Sequence, residues 1–211
     1  MSPAEKNKTT VRLVFFGAAG VGKTALIRRF LQDNFEPKHK RTVEELHSIE
    51  HDLDGTKMRI EIMDTSGSYS FPAMRQLCIR QSDAFALVYS INDPESFEEV
   101  HRLREEILEL KGSKLAPITV VGNKADLGNQ RRVPAKESMT IVELDWSASF
   151  VEASAKSGLN VAGVFEELLR QVNFPSSLSA ALRGRRGTVP KDGVLVRKKP
   201  LIKKADSCTV S

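Results

Sequence analysis

One eight-residue stretch constrains the fold of this chain more than any other feature. It reads GAAGVGKT at residues 17–24 and fits the pattern G-x-x-x-x-G-K-[ST] directly after an apolar run at residues 11–16. Glycines in such a loop permit backbone angles that other residues avoid, so that successive N–H groups converge on phosphate oxygens at a helix N-terminus. An ordinary glycine turn is the alternative, which the full pattern in this context disfavours.

The loop therefore predicts a nucleotide site. We expect Lys23 to reach the β- and γ-phosphates and the Thr24 hydroxyl to bind Mg²⁺. The residues assigned to the nucleotide from this loop are Gly17, Ala18, Ala19, Gly20, Val21, Gly22, Lys23, Thr24 and Ala25.

Runs typical of strands alternate with helical patterns over residues 11–174. Asp54-Gly55 is a strong hairpin signal, so the second and third strands are expected to be antiparallel neighbours. This order predicts a three-layer α/β fold of the P-loop NTPase class, with a six-stranded, mostly parallel sheet and one antiparallel edge strand. Strands are predicted at 11–16, 46–53, 57–63, 84–91, 117–122 and 150–153, and helices at 22–32, 94–110, 134–144 and 159–172.

One domain is expected at residues 11–174, between a flexible N-terminus, 1–10, and a flexible tail, 175–211. The net charge of +5 conceals an asymmetry, because residues 183–211 hold nine Lys or Arg against two Asp and carry +7, which leaves −2 for residues 1–182.

The two cysteines have no paired spacing, which argues against a disulfide scaffold and fits a reducing cytosol. Neither a signal peptide nor a membrane-spanning segment is predicted.

Four polar or glycine motifs follow predicted strands, at Gly17, Asp64, Asn123 and Ser154. Ligands of parallel sheets bind beyond the carboxyl ends of the strands, so these motifs are expected to meet at one crevice. Magnesium prefers oxygen ligands, and the candidates are Thr24, Asp64 and a second hydroxyl from the loop at 33–43, Thr42.

Over residues 11 to about 173 the chain resembles the Ras superfamily of small GTP-binding proteins. The motifs that carry the resemblance are GAAGVGKT (17–24), Thr42, DTSG (64–67), NKAD (123–126) and SAK (154–156). The resemblance implies that Asp126 recognises guanine and rejects adenine, while Asn123 braces the phosphate loop. It also implies that Lys124 lies over the base and Phe35 packs against it, with Ala155 offering a backbone N–H to the guanine O6. The remaining residues assigned to the nucleotide are Thr42, Asp64, Gly67, Ser154 and Lys156.

Within that superfamily, residues 64–77 are most similar to the Rhes/Dexras and Ras-dva branches. The resemblance implies a monomeric switch between GTP and GDP, with Mg²⁺ as cofactor. Effector proteins are expected to bind through residues 35–45 and 64–77. An exchange factor and an activating protein are the other implied partners.

Two departures from the Ras pattern bear on hydrolysis, for which the resemblance implies Lys23, Thr42 and Gly67 as catalytic residues. Ser68 stands where most Ras proteins have the glutamine that orients the attacking water, and Ala19 stands where they usually have glycine. Both changes are expected to slow GTP hydrolysis and to weaken the response to Ras activators. A largely GTP-locked, effector-binding module is the first alternative. A P-loop ATPase or small-molecule kinase is the second, which the NKAD motif disfavours.

The loop before Thr42 carries the basic sequence Lys38-His39-Lys40-Arg41, where Ras-like proteins have an aromatic and acidic one. A solvated basic loop is one interpretation. The other is a different choice of effector, with an acidic partner surface.

The last four residues, Cys208-Thr209-Val210-Ser211, form a C-a-a-X box whose terminal serine favours farnesyl. One lipid chain binds membranes only marginally, so the basic tail would supply the second signal toward an anionic inner leaflet. We therefore expect a prenylated and methylated lipoprotein, anchored at the cytoplasmic face of the plasma membrane through Cys208. Nucleic-acid binding by the tail is the alternative, which the lack of interleaved aromatic residues disfavours.

Overall fold

The computed structural model of the chain describes residues 10–37, 42–53, 56–67, 72–113, 116–175 and 199–200. Six strands form the body of its sheet: β1 (Thr10–Phe16), β2 (Glu45–Leu53), β3 (Thr56–Asp64), β4 (Ala84–Ser90), β5 (Ile118–Asn123) and β6 (Ser149–Glu152). Their spatial order is β6-β5-β4-β1-β3-β2. All neighbouring pairs are parallel except β2 and β3, so the predicted mostly parallel sheet with one antiparallel strand is confirmed.

A seventh, two-residue strand, β7 (Lys199–Pro200), pairs antiparallel with β2, where Glu45 faces Pro200 and Leu46 faces Lys199. It lies within the segment that was predicted as a flexible tail. Because β7 occupies the outer side of β2, the predicted antiparallel edge strand has a neighbour on both sides over these two positions. Proline suits that place because an outermost strand does not need its N–H for a further ladder.

Helices cover both faces of the sheet. They are α1 (Lys23–Gln32), α2 (Pro72–Gln81), α3 (Pro94–Lys111), α4 (Ala135–Thr140) and α5 (Val161–Gln171). A 3₁₀-helix spans Ala125–Gln130, and a π-helical turn, Ile141–Asp145, continues α4. Among the described residues, no helix is both long and apolar enough to cross a membrane.

Two hydrophobic clusters pack on opposite faces of the sheet, which gives the predicted three layers. In one, the Phe165 ring of α5 lies 5.2 Å from the Phe15 ring of β1 and stacks at 3.7 Å on the Phe30 ring of α1. The other joins β4 and β5 to α2 and α3. The predicted apolar stripe of α5 is buried in the first cluster, at Val161, Val164, Phe165, Leu168 and Leu169.

The parallel pairing brings the predicted motifs to one edge. In the register of the sheet Phe15 of β1 is opposite Asp64 of β3, and Ser90 of β4 is opposite Asn123 of β5. Gly17 follows β1 with φ of 140°, and a Cβ at this position would lie 2.0 Å from the Val88 carbonyl oxygen. Only glycine therefore allows the phosphate loop to leave β1 so close to β4.

Candidate functional site

A cavity of about 730 Å³ lies beyond the carboxyl ends of β1 and β3. The phosphate loop forms one wall and residues 34–37 and 42–45 form another. Ten of the residues assigned to the nucleotide line it: Ala19, Gly20, Gly22, Lys23, Thr24, Ala25, Phe35, Thr42, Gly67 and Lys124. The predicted phosphate end of the site is therefore assembled in one place.

Lys23 begins α1 from the floor of the phosphate loop. Its ammonium Nζ donates to the carbonyl oxygens of Gly17, at 2.8 Å, and Ala18, at 2.9 Å. Gly22, the N-cap of α1, has φ of 99° and leaves the first turn of the helix without a side-chain cap. The first N–H groups of α1 are thus available to an anion, as the loop pattern predicts.

The metal candidates Thr24, Thr42 and Asp64 lie on neighbouring elements. The hydroxyl oxygens of Thr24 and Thr42 are 2.8 Å apart, although one residue begins α1 and the other precedes β2. Asp64 is fully buried at the end of β3, and among the described residues neither of its carboxylate oxygens has a hydrogen-bond partner. The Thr24 hydroxyl is close enough to Asp64 to lower its pKa, so these oxygen atoms form a ligand set that fits Mg²⁺.

Burial opposes the charges of both ionisable groups at the floor of the cavity. It lowers the pKa of Lys23 from 10.5 to about 8, against the opposing effect of Asp64. It raises the pKa of Asp64 from 3.8 to about 6, against the opposing effects of the Thr24 hydroxyl and Lys23. Phosphate beside Lys23 and a cation beside Asp64 would each compensate a charge that the folded chain leaves poorly solvated.

The segment after β3 touches the phosphate loop directly. A Cβ added to Gly67 would lie 2.2 Å from the Ala19 nitrogen and 2.5 Å from the Ala18 carbonyl carbon. The two backbones therefore meet without room for a side chain. Thr65 helps to set this path, because its hydroxyl donates to the Phe15 carbonyl at 2.6 Å.

Asn123 links three segments of the site. Its amide nitrogen donates to the Val21 carbonyl at 2.7 Å, and its amide oxygen accepts from the Ala155 N–H at 3.2 Å. A Cβ at Gly22 would lie 2.4 Å from the same amide nitrogen, so the loop packs tightly on this side chain. The Ala155 N–H, which the resemblance assigns to guanine O6, has Asn123 as its partner here.

The residues of the NKAD and SAK motifs lie together beside Asn123, and of these only Lys124 is also part of the cavity wall. Asp126 accepts from the Ser154 hydroxyl at 2.6 Å and lies 3.8 Å from the Lys156 ammonium. Lys124 has φ of 66°, and burial lowers its pKa. The NKAD and SAK motifs are thus in contact, although 28 residues separate Ser154 from Asp126.

Sequence reasoning assigned no role in nucleotide binding to several residues that line the cavity. The clearest is Arg28, whose guanidinium donates to the Glu36 carboxylate at 3.1 Å. A signal for Arg28 was available, because a residue four positions after Thr24 lies on the same face of a helix. The other unassigned lining residues are Asn34, Pro37, Val43, Glu45 and Ser66.

Several predicted features lie outside the described residues. They are Ser68, the basic cluster 38–41, the Asp54-Gly55 turn, the N-terminal residues 1–9, and the tail residues 176–198 and 201–211, which include the modification site Cys208.

Comparisons with known proteins show which family and which relatives this chain is similar to. A family model described as the Ras family matches residues 12–174. The chain is 39% identical over 184 residues to the GTP-binding protein Rhes of Homo sapiens, a match that covers 83% of this chain and 69% of Rhes. The Rhes proteins of Mus musculus and Rattus norvegicus match with the same identity and coverage.

Proposed function

The chain belongs to the Ras family, and on that premise we propose that it is a membrane-tethered signalling switch that hydrolyses GTP slowly. GTP binding and GTP hydrolysis in general follow from the family, and the predicted closeness to Rhes is confirmed. Slow hydrolysis rests on one observation above all, the contact of the Gly67 and Ala19 backbones. That contact lies next to residue 68, where this chain has serine instead of glutamine.

The phosphate end of the cavity is assigned to GTP or GDP. The N–H groups at the start of α1 bind phosphate oxygens, and Lys23 is protonated at neutral pH because its pKa is about 8. Thr24, Thr42 and Asp64 would hold Mg²⁺, which supplies positive charge at the β- and γ-phosphate oxygens.

Switching follows from two segments that border the γ-phosphate end. Thr42 orders the segment 35–45 and the Gly67 N–H orders the segment 64–77 when GTP is bound, and both relax after hydrolysis. These segments expose apolar side chains at Val43, 80% exposed, and at Leu77, 47% exposed. We assign them to effector binding, with nucleotide exchange and hydrolysis regulated by an exchange factor and an activating protein.

Slow hydrolysis follows from the crowding near Ala19. Because the Gly67 backbone lies against Ala19, the Ala19 methyl group occupies space beside the attacking water and an incoming arginine finger. Ser68 has one short hydroxyl, which cannot reach both the water and the phosphate as a glutamine carboxamide does. Ras itself hydrolyses GTP at on the order of 10⁻⁴ s⁻¹, and we expect this chain to be at or below that rate.

Single-turnover hydrolysis of GTP by the full chain, with and without a Ras-activating protein, tests this proposal. We expect stimulation of the wild-type chain far below the about 10³- to 10⁵-fold that an arginine finger supplies. The double variant Ala19→Gly with Ser68→Gln should regain stimulation, whereas Ser70→Gln, which places the same carboxamide two residues further on, should not. Strong stimulation of the wild-type chain would overturn slow hydrolysis while leaving GTP binding intact.

A largely GTP-locked module is the second candidate, and Ala19 and Ser68 favour it as well. The ratio of GTP to GDP on the chain isolated from cells separates the two: a chain that carries GTP almost exclusively is locked. Competition of labelled GTP by excess ATP tests base specificity, and we expect ATP not to compete.

The basic loop at 38–41 is assigned to effector choice. Charge reversal at Lys38, Lys40 and Arg41 should weaken effector binding and leave nucleotide affinity unchanged, because these side chains would face an acidic partner. A loss of GDP affinity in the same variant would instead place the cluster at the nucleotide.

A further inference from the structure

An ion pair joins two residues in the wall of the cavity. The Arg28 guanidinium of α1 donates to the Glu36 carboxylate at 3.1 Å, and both residues line the cavity. Glu36 directly follows Phe35, the residue that the family resemblance assigns to the guanine base. The pair therefore joins α1 to the segment that carries Phe35.

A second contact, made by the next residue of α1, holds the same segment. The Arg29 guanidinium donates to the Asp33 carbonyl at 3.2 Å and lies 3.3 Å from the Asp33 carboxylate. Asp33 ends α1 with φ of 51°, and its N–H donates to the Arg29 carbonyl at 3.1 Å. Residues 34 and 35 are thus held between two arginine contacts, one on each side.

Phe35 has little freedom to move without breaking these contacts. Its half-buried ring packs against the core cluster and also lines the cavity. Release of a nucleotide through this side requires the segment 33–36 to move away from α1. That movement separates Arg28 from Glu36, so the ion pair adds to the barrier for release.

We propose that Arg28 is a positioning residue for nucleotide retention, which acts through Glu36 to hold Phe35 at the mouth of the cavity. This inference rests on the proposed function, because the retained ligand is a guanine nucleotide. The side chains of Arg28 and Glu36 are 35% and 46% exposed. Exposed ion pairs are weak, so we expect loss of the pair to speed release by about two- to fivefold.

A direct effect of Arg28 on the ligand must be separated from an effect through Glu36. Arg28 is close enough to Asp64 to favour its ionised form. Removing Arg28 could therefore also change the phosphate and Mg²⁺ end of the site. Glu36→Gln leaves the charge of Arg28 in place and removes its charge partner at residue 36, so this variant tests the ion pair separately from a direct effect of Arg28.

The test measures release of GDP carrying a fluorescent group on its ribose from the full chain, chased by excess unlabelled GDP in Mg²⁺. We expect Glu36→Gln and Arg28→Gln each to speed release, and the double variant to release no faster than the faster single variant. Arg28→Lys, which keeps a positive charge beside Asp64 and a donor for Glu36, should stay closer to the wild-type rate than Arg28→Gln. The differences in release rate between the variants and the wild type should become smaller as salt is raised from about 0.05 M to about 1 M, because ions in solution screen an exposed ion pair.

A matched control is available on α3, where Arg102 and Glu99 form an ion pair of the same length, 3.1 Å, outside the cavity. Glu99→Gln should leave release unchanged. An unchanged rate in Glu36→Gln would overturn the inference, and acceleration in Arg28→Gln alone would assign Arg28 to the phosphates or Asp64 instead. Failure of the wild-type chain to retain labelled GDP would instead count against the proposed function itself.

Discussion

Two charged residues at the floor of the cavity, Lys23 and Asp64, are held in an environment that disfavours their charges. Both are almost completely buried, and burial is the largest cause of both pKa shifts. Lys23 has two backbone carbonyl partners, whereas the carboxylate of Asp64 has no hydrogen-bond donor among the described residues. These two groups therefore stabilise the nucleotide-free fold less than they would stabilise the fold with nucleotide and Mg²⁺ bound.

The charge of Asp64 predicts how the stability of the nucleotide-free chain depends on pH. Since its folded-state pKa, about 6, lies above the ordinary 3.8, protonation stabilises the fold. That contribution is fully present below about pH 4 and is lost as pH rises to about 6. Asp64→Asn should remove this dependence and raise the free energy of unfolding at pH 7 by up to about 3 kcal/mol.

Urea unfolding across this pH range, without nucleotide or Mg²⁺, checks the prediction. Asp145→Asn, at an exposed site, serves as the control. Equal pH dependence in the wild type and Asp64→Asn would contradict it. The same variant should lose the stabilisation that Mg²⁺ adds to the GDP-bound chain, because an amide is a much weaker ligand than a carboxylate.

At the scale of elements, the end of β5 holds the phosphate loop and the loop after β6 in contact. Asn123 makes this link with one side chain, which donates to Val21 and accepts from Ala155. The Asn123 carboxamide offers a donor and an acceptor at once, whereas a carboxylate offers only acceptors. The phosphate and guanine ends of the site are thus positioned by one buried residue.

Asn123→Asp should therefore weaken GDP binding. The carboxylate keeps an acceptor for the Ala155 N–H but faces the Val21 carbonyl without a donor. Breaking a buried hydrogen bond of this kind costs about 1–3 kcal/mol, which corresponds to about 5- to 150-fold in affinity. Titration of GDP onto the nucleotide-free wild type and variant measures this loss of affinity as a change in Kd.

Asn160→Ala provides the control, because it removes an amide-to-carbonyl hydrogen bond of 2.8 Å, to Glu152, outside the cavity. It should leave the Kd for GDP unchanged, even if it lowers stability. Comparable loss of affinity in both variants would mean that the effect is general destabilisation and not the link through Asn123.

At the scale of the whole molecule, charge is divided between the folded domain and the basic segment that follows it. Residues 183–211 carry +7, while residues 1–182 carry −2. An anionic membrane surface would attract residues 183–211 only, and the proposed farnesyl group at Cys208 would add a lipid to the same segment. We propose that this division anchors the domain at the cytoplasmic face of the plasma membrane.

Membrane binding should then require both signals. Vesicles that contain anionic lipids should bind the farnesylated wild-type chain. They should not bind Cys208→Ser, which has no cysteine at this position to carry the lipid. Replacing Arg197, Lys198, Lys203 and Lys204 with glutamine should weaken binding by up to about 4 kcal/mol, because each basic residue contributes at most about 1 kcal/mol. Co-sedimentation with vesicles measures both effects, with neutral vesicles as the control. Undiminished binding of Cys208→Ser would show that the lipid is not needed.

The fold class, the parallel pairing of most strands and the phosphate loop could all be predicted from the amino-acid sequence. These features depend on local patterns: apolar runs, the Asp54-Gly55 turn and glycines at fixed spacing report directly on nearby backbone geometry. Motifs after successive strands also predicted that Gly17, Asp64 and Asn123 share one edge, because parallel strands end on the same side.

The contacts between these residues could be seen only in the folded chain. The burial that raises the pKa of Asp64, the backbone contact of Gly67 with Ala19, and the ion pair of Arg28 with Glu36 all depend on distances that sequence spacing does not encode. The short β7 strand beside β2 is of the same kind. Local patterns determine which elements form, whereas solvation and contact between distant segments arise only once those elements pack.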